Sequence, residues 1–268
     1  MTAQDVSAGT SLDEARRLAE AGDLTGAEEI LARLAARRDD PDHAAQAAVG
    51  LAVVLEELGD HEGARRAARE ALASGHPEYA AQGACHLARG FEREGRWDQA
   101  RAAWQAVVGV GTPAYLPMAH LALARLAVRE GDDETAQEQL RAALDTGDPK
   151  AAARAAQDLA EYLLAEGRAG EAAEVLVRAL DLPEVADAAR LRVLLGIAHL
   201  DAACDQFAAA IEEGSDAETD ALAIELLART LPLRGRDDDA EAVWRYGLEH
   251  EDERLAHEVR LRWDRGLG

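Results

Sequence analysis

Four prolines, Pro41, Pro77, Pro113 and Pro149, stand 36 residues apart, and Gly59, Gly95, Gly131 and Gly167 each follow one of them by 18. Proline fixes φ and suits the first turn of a helix, while glycine just past a helix end takes the left-handed conformation that stops it. Each block therefore reads as proline, helix A, glycine turn, helix B, then the next proline. Residues 77–113, PEYAAQGACHLARGFEREGRWDQARAAWQAVVGVGTP, show the plan in full.

The interior of the blocks repeats as well. Alanine stands seven residues before the turn glycine at Ala15, Ala52, Ala88, Ala124, Ala160 and Ala228, and five after it at Ala27, Ala64, Ala100, Ala136, Ala172 and Ala240. Nine after it a larger apolar residue is usual: Leu31, Trp104, Leu140, Leu176 and Trp244, with Ala68 the exception. Small residues at fixed places let two helices cross closely, and the large one fills the gap to the next pair. Chance in an alanine-rich chain does not produce six blocks that agree at several offsets at once.

This spacing of small residue, glycine turn, alanine, bulky apolar residue and terminal proline resembles the tetratricopeptide repeat over residues 11–265. The blocks are mostly 36 or 37 residues against the family's 34, and leucine and alanine replace most of its aromatic residues. The resemblance implies an all-α fold, a right-handed α-solenoid of about seven helical hairpins with a C-terminal capping helix. The expected boundaries are a disordered tail over residues 1–10, a repeat array over 11–250 and the cap over 251–268. The array is irregular near 183–214. There Pro183 is expected to open a helix, Gly196 to be its small crossing residue and Asp201 to cap a second helix about five residues too early.

Composition narrows the function. The formal charge is −23, from 29 basic and 52 acidic residues, which repels phosphate backbones and anionic lipid surfaces. Nucleic acid and membrane are therefore not expected partners. The longest apolar run, residues 193–200, is too short to cross a bilayer, the N-terminus lacks a basic start followed by an apolar run, and a cytoplasmic, bacterial protein is the expectation. Cys85 and Cys204 have neither disulfide-framework nor metal-ligand spacing, and no motif calls for a cofactor.

In the resembled family, ligands lie along the face lined by the A helices. Carried over, that face holds Gln82, Cys85, Arg89 and Arg93 from the third repeat and Met118, Leu121, Arg125 and Arg129 from the fourth. The fifth gives Arg154, Gln157 and Glu161. Arg89 with Arg93, and Arg125 with Arg129, are four apart on one helix, where like charges cost about 0.2–0.5 kcal/mol. Stacked on neighbouring helices they would concentrate positive charge in an acidic protein, and guanidinium forks suit carboxylates. The competing reading is that Glu56, Glu57, Glu92 and Glu161 neutralise them internally.

The leading expectation is a non-catalytic scaffold whose groove receives a peptide or partner helix, with negative charge favoured. A sensor of a small peptide or metabolite, a self-associating protein, and an enzyme using His86 or His120 as acid or base are the alternatives. Cys85 and His86 are sequence neighbours that point apart on a helix, so no nucleophilic pair is implied. The run His250-Glu251-Asp252-Glu253 reads as the acidic start of the capping helix.

Overall fold

The computed structural model describes residues 3–265, and among them every regular element is a helix. Six helical pairs match the six turn glycines: α1 (Ala3–Glu20) with α2 (Leu24–Ala35), α3 (Pro41–Glu57) with α4 (His61–Ala73), and α5 (Pro77–Arg93) with α6 (Trp97–Val110). Then come α7 (Leu116–Glu130) with α8 (Asp133–Asp145) and α9 (Pro149–Ala165) with α10 (Ala169–Leu180). After a single long helix, α11 (Ala188–Glu213), α12 (Ala217–Thr230) pairs with α13 (Asp237–Leu248), and α14 (Glu253–Arg265) closes the chain. The chain divides into two compact units, the first ending at Ala151 and the second beginning at Ala152.

The turn chemistry explains the regular pairs. All six turn glycines have φ between 70° and 85°, a region open to glycine and costly for a residue with a Cβ. Asp23, Asp60 and Asp132 directly follow three of them and accept the backbone N–H three residues on, at 3.0, 2.9 and 3.0 Å, which caps α2, α4 and α8. Pro41 and Pro77 sit in the first turn of α3 and α5. Pro113 does not open its helix: α7 starts at Leu116 with Pro117 in its first turn.

The periodic alanines are the crossing points. Every one named above is 5% exposed or less, and Leu31, Trp104, Leu140 and Leu176 are buried beside them. Within the first unit each B helix packs on the next A helix, so the buried alanines form a continuous ribbon of small contacts, with Leu31, Trp104 and Leu140 as the large side chains at the repeated position and Ala68 there in the second repeat. Ion pairs tie the rim of the ribbon at one repeated position: Arg65 of α4 pairs with Glu94, and 36 residues later Arg101 of α6 pairs with Glu130.

The structure departs from the sequence expectation at both irregular places. α1 begins at Ala3, so the helix covers positions 3–10 of the expected tail; residues 1 and 2 lie outside the described residues. In the second unit there is no hairpin over residues 183–214. Pro183 lies in a turn with Glu184 and Asp187 at positive φ, and α11 then runs 26 residues without interruption. No glycine or proline occurs between Gly196 and Gly214, so nothing stops the helix once it has started. Gly196 makes no close crossing, since a Cβ on it would meet nothing within 4 Å. Asp201 is no cap but a mid-helix carboxylate that accepts from the Arg234 guanidinium at 2.7 and 3.1 Å.

By length and composition alone α11 is enough to cross a bilayer, which the eight-residue run in the sequence did not suggest. It packs against α10 and α12, burying Leu191, Ala198 and Cys204. At the end of the chain α14 packs on α12 and α13. Val259 and Leu255 close over Ile224 and Ala221, and Trp263 meets Trp244 edge-on at 5.0 Å.

Candidate ligand-binding site

In the first unit the A helices α3, α5 and α7 carry the predicted charges one repeat apart. Glu56 and Glu92 occupy one repeated position, and Val128 follows them in α7. Arg93 pairs with Glu56, and Arg125 reaches Glu92 at 2.8 Å. Burial works against ionising Glu56, yet His61 and Arg93 outweigh it and hold the carboxyl below its ordinary value. Glu92 also accepts the indole N–H of Trp104 at 2.9 Å. Half of the predicted arginine cluster is thus neutralised within the fold.

The remaining two arginines have different surroundings. Arg129 lies over the Trp97 ring, 4.0 Å from its centroid, in a cation–π contact, and among the described residues it has no carboxylate partner. Arg89 lies with one guanidinium nitrogen 2.8 Å from Met118 Sδ, and among the described residues it has no carboxylate partner.

Between α5 and α7 a cleft of about 500 Å³ opens beside these groups. Its apolar wall includes Trp104, Pro117, Met118 and Leu121, and its rim carries Arg89, Arg125 and Lys150. Glu92 and Asp148 are the acidic members of the lining, and both are engaged: Glu92 as above, Asp148 as the acceptor of the Lys150 and Ala151 backbone N–H groups at 3.1 and 2.8 Å. Lys150 also lacks a carboxylate partner among the described residues. The cleft therefore combines an apolar wall with two uncompensated cations at its mouth.

Of the expected site residues, the cleft gathers Arg89, Met118, Leu121 and Arg125; Arg93 and Arg129 are exposed on the same two helices outside its lining. Gln82 is spent on structure, donating to Glu78 at 2.6 Å and to the Tyr115 hydroxyl at 2.9 Å. Cys85 is buried, and burial pushes its thiol up to about 11 against the opposing influence of Arg89, so it is no thiolate nucleophile. His86 lies beside it in the chain, its imidazole held below its ordinary value chiefly by burial. Arg154, Gln157 and Glu161 belong to the second unit and are paired locally: Arg154 with Asp158 at 2.7 Å, Gln157 with Glu161 at 3.2 Å, and Glu161 with Arg190 at 3.9 Å.

Sequence reasoning missed Lys150, although it stands in the first turn of α9, four residues before Arg154 and on the stripe of Arg154, Gln157 and Glu161. It is also the only lysine in the chain. The acidic run before α14 is cap chemistry: Asp252 accepts the Arg254 N–H at 2.8 Å, and His250 Nδ1 accepts the Asp252 N–H at 3.1 Å.

A tetratricopeptide repeat family model matches residues 12–80 and 86–152, a little over half the chain, and the chain belongs to that family. No curated protein matches the sequence. Among solved structures, the chain is similar to one described as a functional characterization of Pseudomonas aeruginosa pilF, with a TM-score of 0.47 and 15% identity over 97% of this chain and 99% of that one. It is also similar to BtubC (BKLC) from P. vanneervenii, with a TM-score of 0.44 and 18% identity over 98% of this chain and 93% of that one. Neither likeness bears on partners.

Proposed function

We propose that this protein is a non-catalytic interaction scaffold whose first unit takes up an acidic peptide segment of a partner protein in the cleft between α5 and α7. Membership of the repeat family supports the scaffold role. The observation that carries the ligand class is the pair Arg89 and Lys150, cations without a carboxylate partner at the mouth of an apolar cleft in a chain of charge −23. Met118 and Leu121 supply the apolar contact, and the two cations attract a carboxylate and donate hydrogen bonds to it, against the repulsion of the chain's overall negative charge. Arg125 is already on Glu92, so the glutamate in the lining is neutralised.

The test is fluorescence anisotropy with a library of labelled peptides in which each glutamate is paired with its glutamine counterpart. Acidic members should bind more tightly, lose affinity as salt is raised, and lose about tenfold or more with R89E combined with K150E, a range consistent with charge-assisted contacts. Equal binding of the glutamine peptides, or an unchanged affinity in the double variant, would refute the reading.

A further inference from the structure

The repeats serve as their own control for one position in the wall of the peptide cleft. Gln46, Gln82 and Arg154 each stand five residues after the proline of their block, and Met118 holds that place in the fourth repeat. The helical pair therefore accepts a polar side chain there and does not call for a thioether. Met118 is partly exposed, as Gln46 and Gln82 are, and it lines the cleft between α5 and α7. The chain's other methionine, Met1, lies outside the described residues.

The two thiols are withdrawn from solvent. Cys85 and Cys204 are buried, and burial pushes both up, Cys85 to about 11, which leaves little thiolate to react at neutral pH. A thioether needs no deprotonation to be oxidised. The Met118 sulfur also has a particular neighbour, the Arg89 guanidinium nitrogen at 2.8 Å. A thioether is only a weak acceptor, so Arg89 keeps its charge available to a ligand. A sulfoxide is polar where the thioether was apolar, and an oxygen added to Sδ comes within reach of the same guanidinium.

We propose that Met118 is a reversible oxidation site that regulates the cleft: its sulfoxide accepts from Arg89, occupies that cation and makes the apolar wall polar, so that peptide is released, this last step resting on the acidic-peptide reading of the cleft. The oxidant is a hydroperoxide. A lone pair of Sδ attacks one peroxide oxygen, the S–O bond forms as the O–O bond breaks, and the other oxygen leaves with the proton as water or an alcohol. Sulfur gives up two electrons to the peroxide. A dithiol reductant reverses the step, becoming a disulfide while the oxygen departs as water. M118Q copies the oxidised form, because glutamine has the length of methionine, carries an acceptor oxygen and is the residue of the second and third repeats.

The experiment treats the full chain with hydrogen peroxide, then with methionine sulfoxide reductases and a dithiol. Peptide mapping by mass spectrometry should find Met118 oxidised while both cysteines remain thiols. In protein isotope-labelled at the arginine nitrogens, the Arg89 side-chain NMR signal, assigned by its loss in R89K, should move on oxidation and return on reduction. Affinity for an acidic peptide should fall about fivefold or more, since a charge-assisted hydrogen bond to the ligand is lost, and M118Q should show a similar loss without peroxide. M118L, whatever its own affinity, should bind equally before and after treatment. Cysteine oxidation ahead of Met118, or an Arg89 signal indifferent to the sulfoxide, would overturn the proposal. An affinity unchanged by oxidation would sink the switch and leave the peptide reading standing, whereas no binding before treatment would sink the peptide reading itself and the release with it.

Discussion

Gly83 of α5 gives the sharpest test of how closely the helices of the first unit approach. A Cβ placed on it would lie 2.6 Å from the Ala68 carbonyl oxygen, 2.9 Å from Ala71 Cβ and 3.0 Å from the Leu72 nitrogen. Two of those atoms are backbone of α4 and cannot swing aside, so G83A must push α4 and α5 apart. Overpacking of this kind costs about 1–3 kcal/mol, and replacing a helical glycine by alanine returns about 0.5–1 kcal/mol. The net expectation is a loss of up to about 2.5 kcal/mol. Gly90 lies two turns along the same helix, and its Cβ would meet only Arg93 Nη2, at 3.9 Å. G90A should therefore stabilise by the propensity gain alone, about 0.5–1 kcal/mol. Urea unfolding of the full chain followed by far-ultraviolet circular dichroism reads both as shifts of the midpoint, in opposite directions. If G83A raised the midpoint as G90A does, the close crossing of α4 and α5 would be wrong.

Three further outcomes follow from named groups. The Cys85 thiol ionises near 9.0 when free and near 11 when buried; between those pH values the unfolded chain loses a proton that the folded chain keeps, so stability falls as pH rises through that window. C85A should remove that part of the slope in unfolding midpoints measured from pH 8 to 11, and a slope unchanged by the substitution would exclude this thiol as its source. A202P tests the continuity of α11: proline inside a helix costs about 3 kcal/mol or more, whereas proline just after a capping Asp201 would be tolerated. A midpoint equal to that of the parent would restore the hairpin that the structure lacks, and G196A on the same helix should raise the midpoint, with about 0.5–1 kcal/mol from propensity.

Most of the fold was legible in the chain because the helical pair is a local device. A turn glycine, a capping aspartate and two alanines at fixed offsets act within some twenty residues of one another, and they need no distant partner to be recognised. That is why α2 to α10 fall where the spacing puts them, save for the later start of α7 at Leu116, and why the periodic alanines from Ala15 to Ala240 are all buried. The reading failed where it imposed the period on a stretch that lacks its punctuation. Residues 197–213 hold no glycine or proline, and reading that absence as a shortened hairpin overlooked the simpler consequence, a helix with no reason to stop.

The candidate site was legible by half. Helical spacing placed Arg89 and Arg125 on equivalent faces of α5 and α7, and Met118 and Leu121 beside them. Which arginines keep a free charge is decided by side-chain reach across repeats: Glu92 can satisfy Arg125, Glu56 can satisfy Arg93, and neither serves Arg89.

The sequence alone determined the helical pairs, their turns and the small-residue contacts between them, since each depends on backbone preference and volume at short range. Only the tertiary structure decided that Lys150 joins the cleft, that Asp201 pairs with Arg234 instead of capping a helix, and that His120 finds Gln139. Those outcomes depend on where side chains from separate helices converge. Charge and hydrogen bonding act over a few ångströms in space, whatever the distance along the chain.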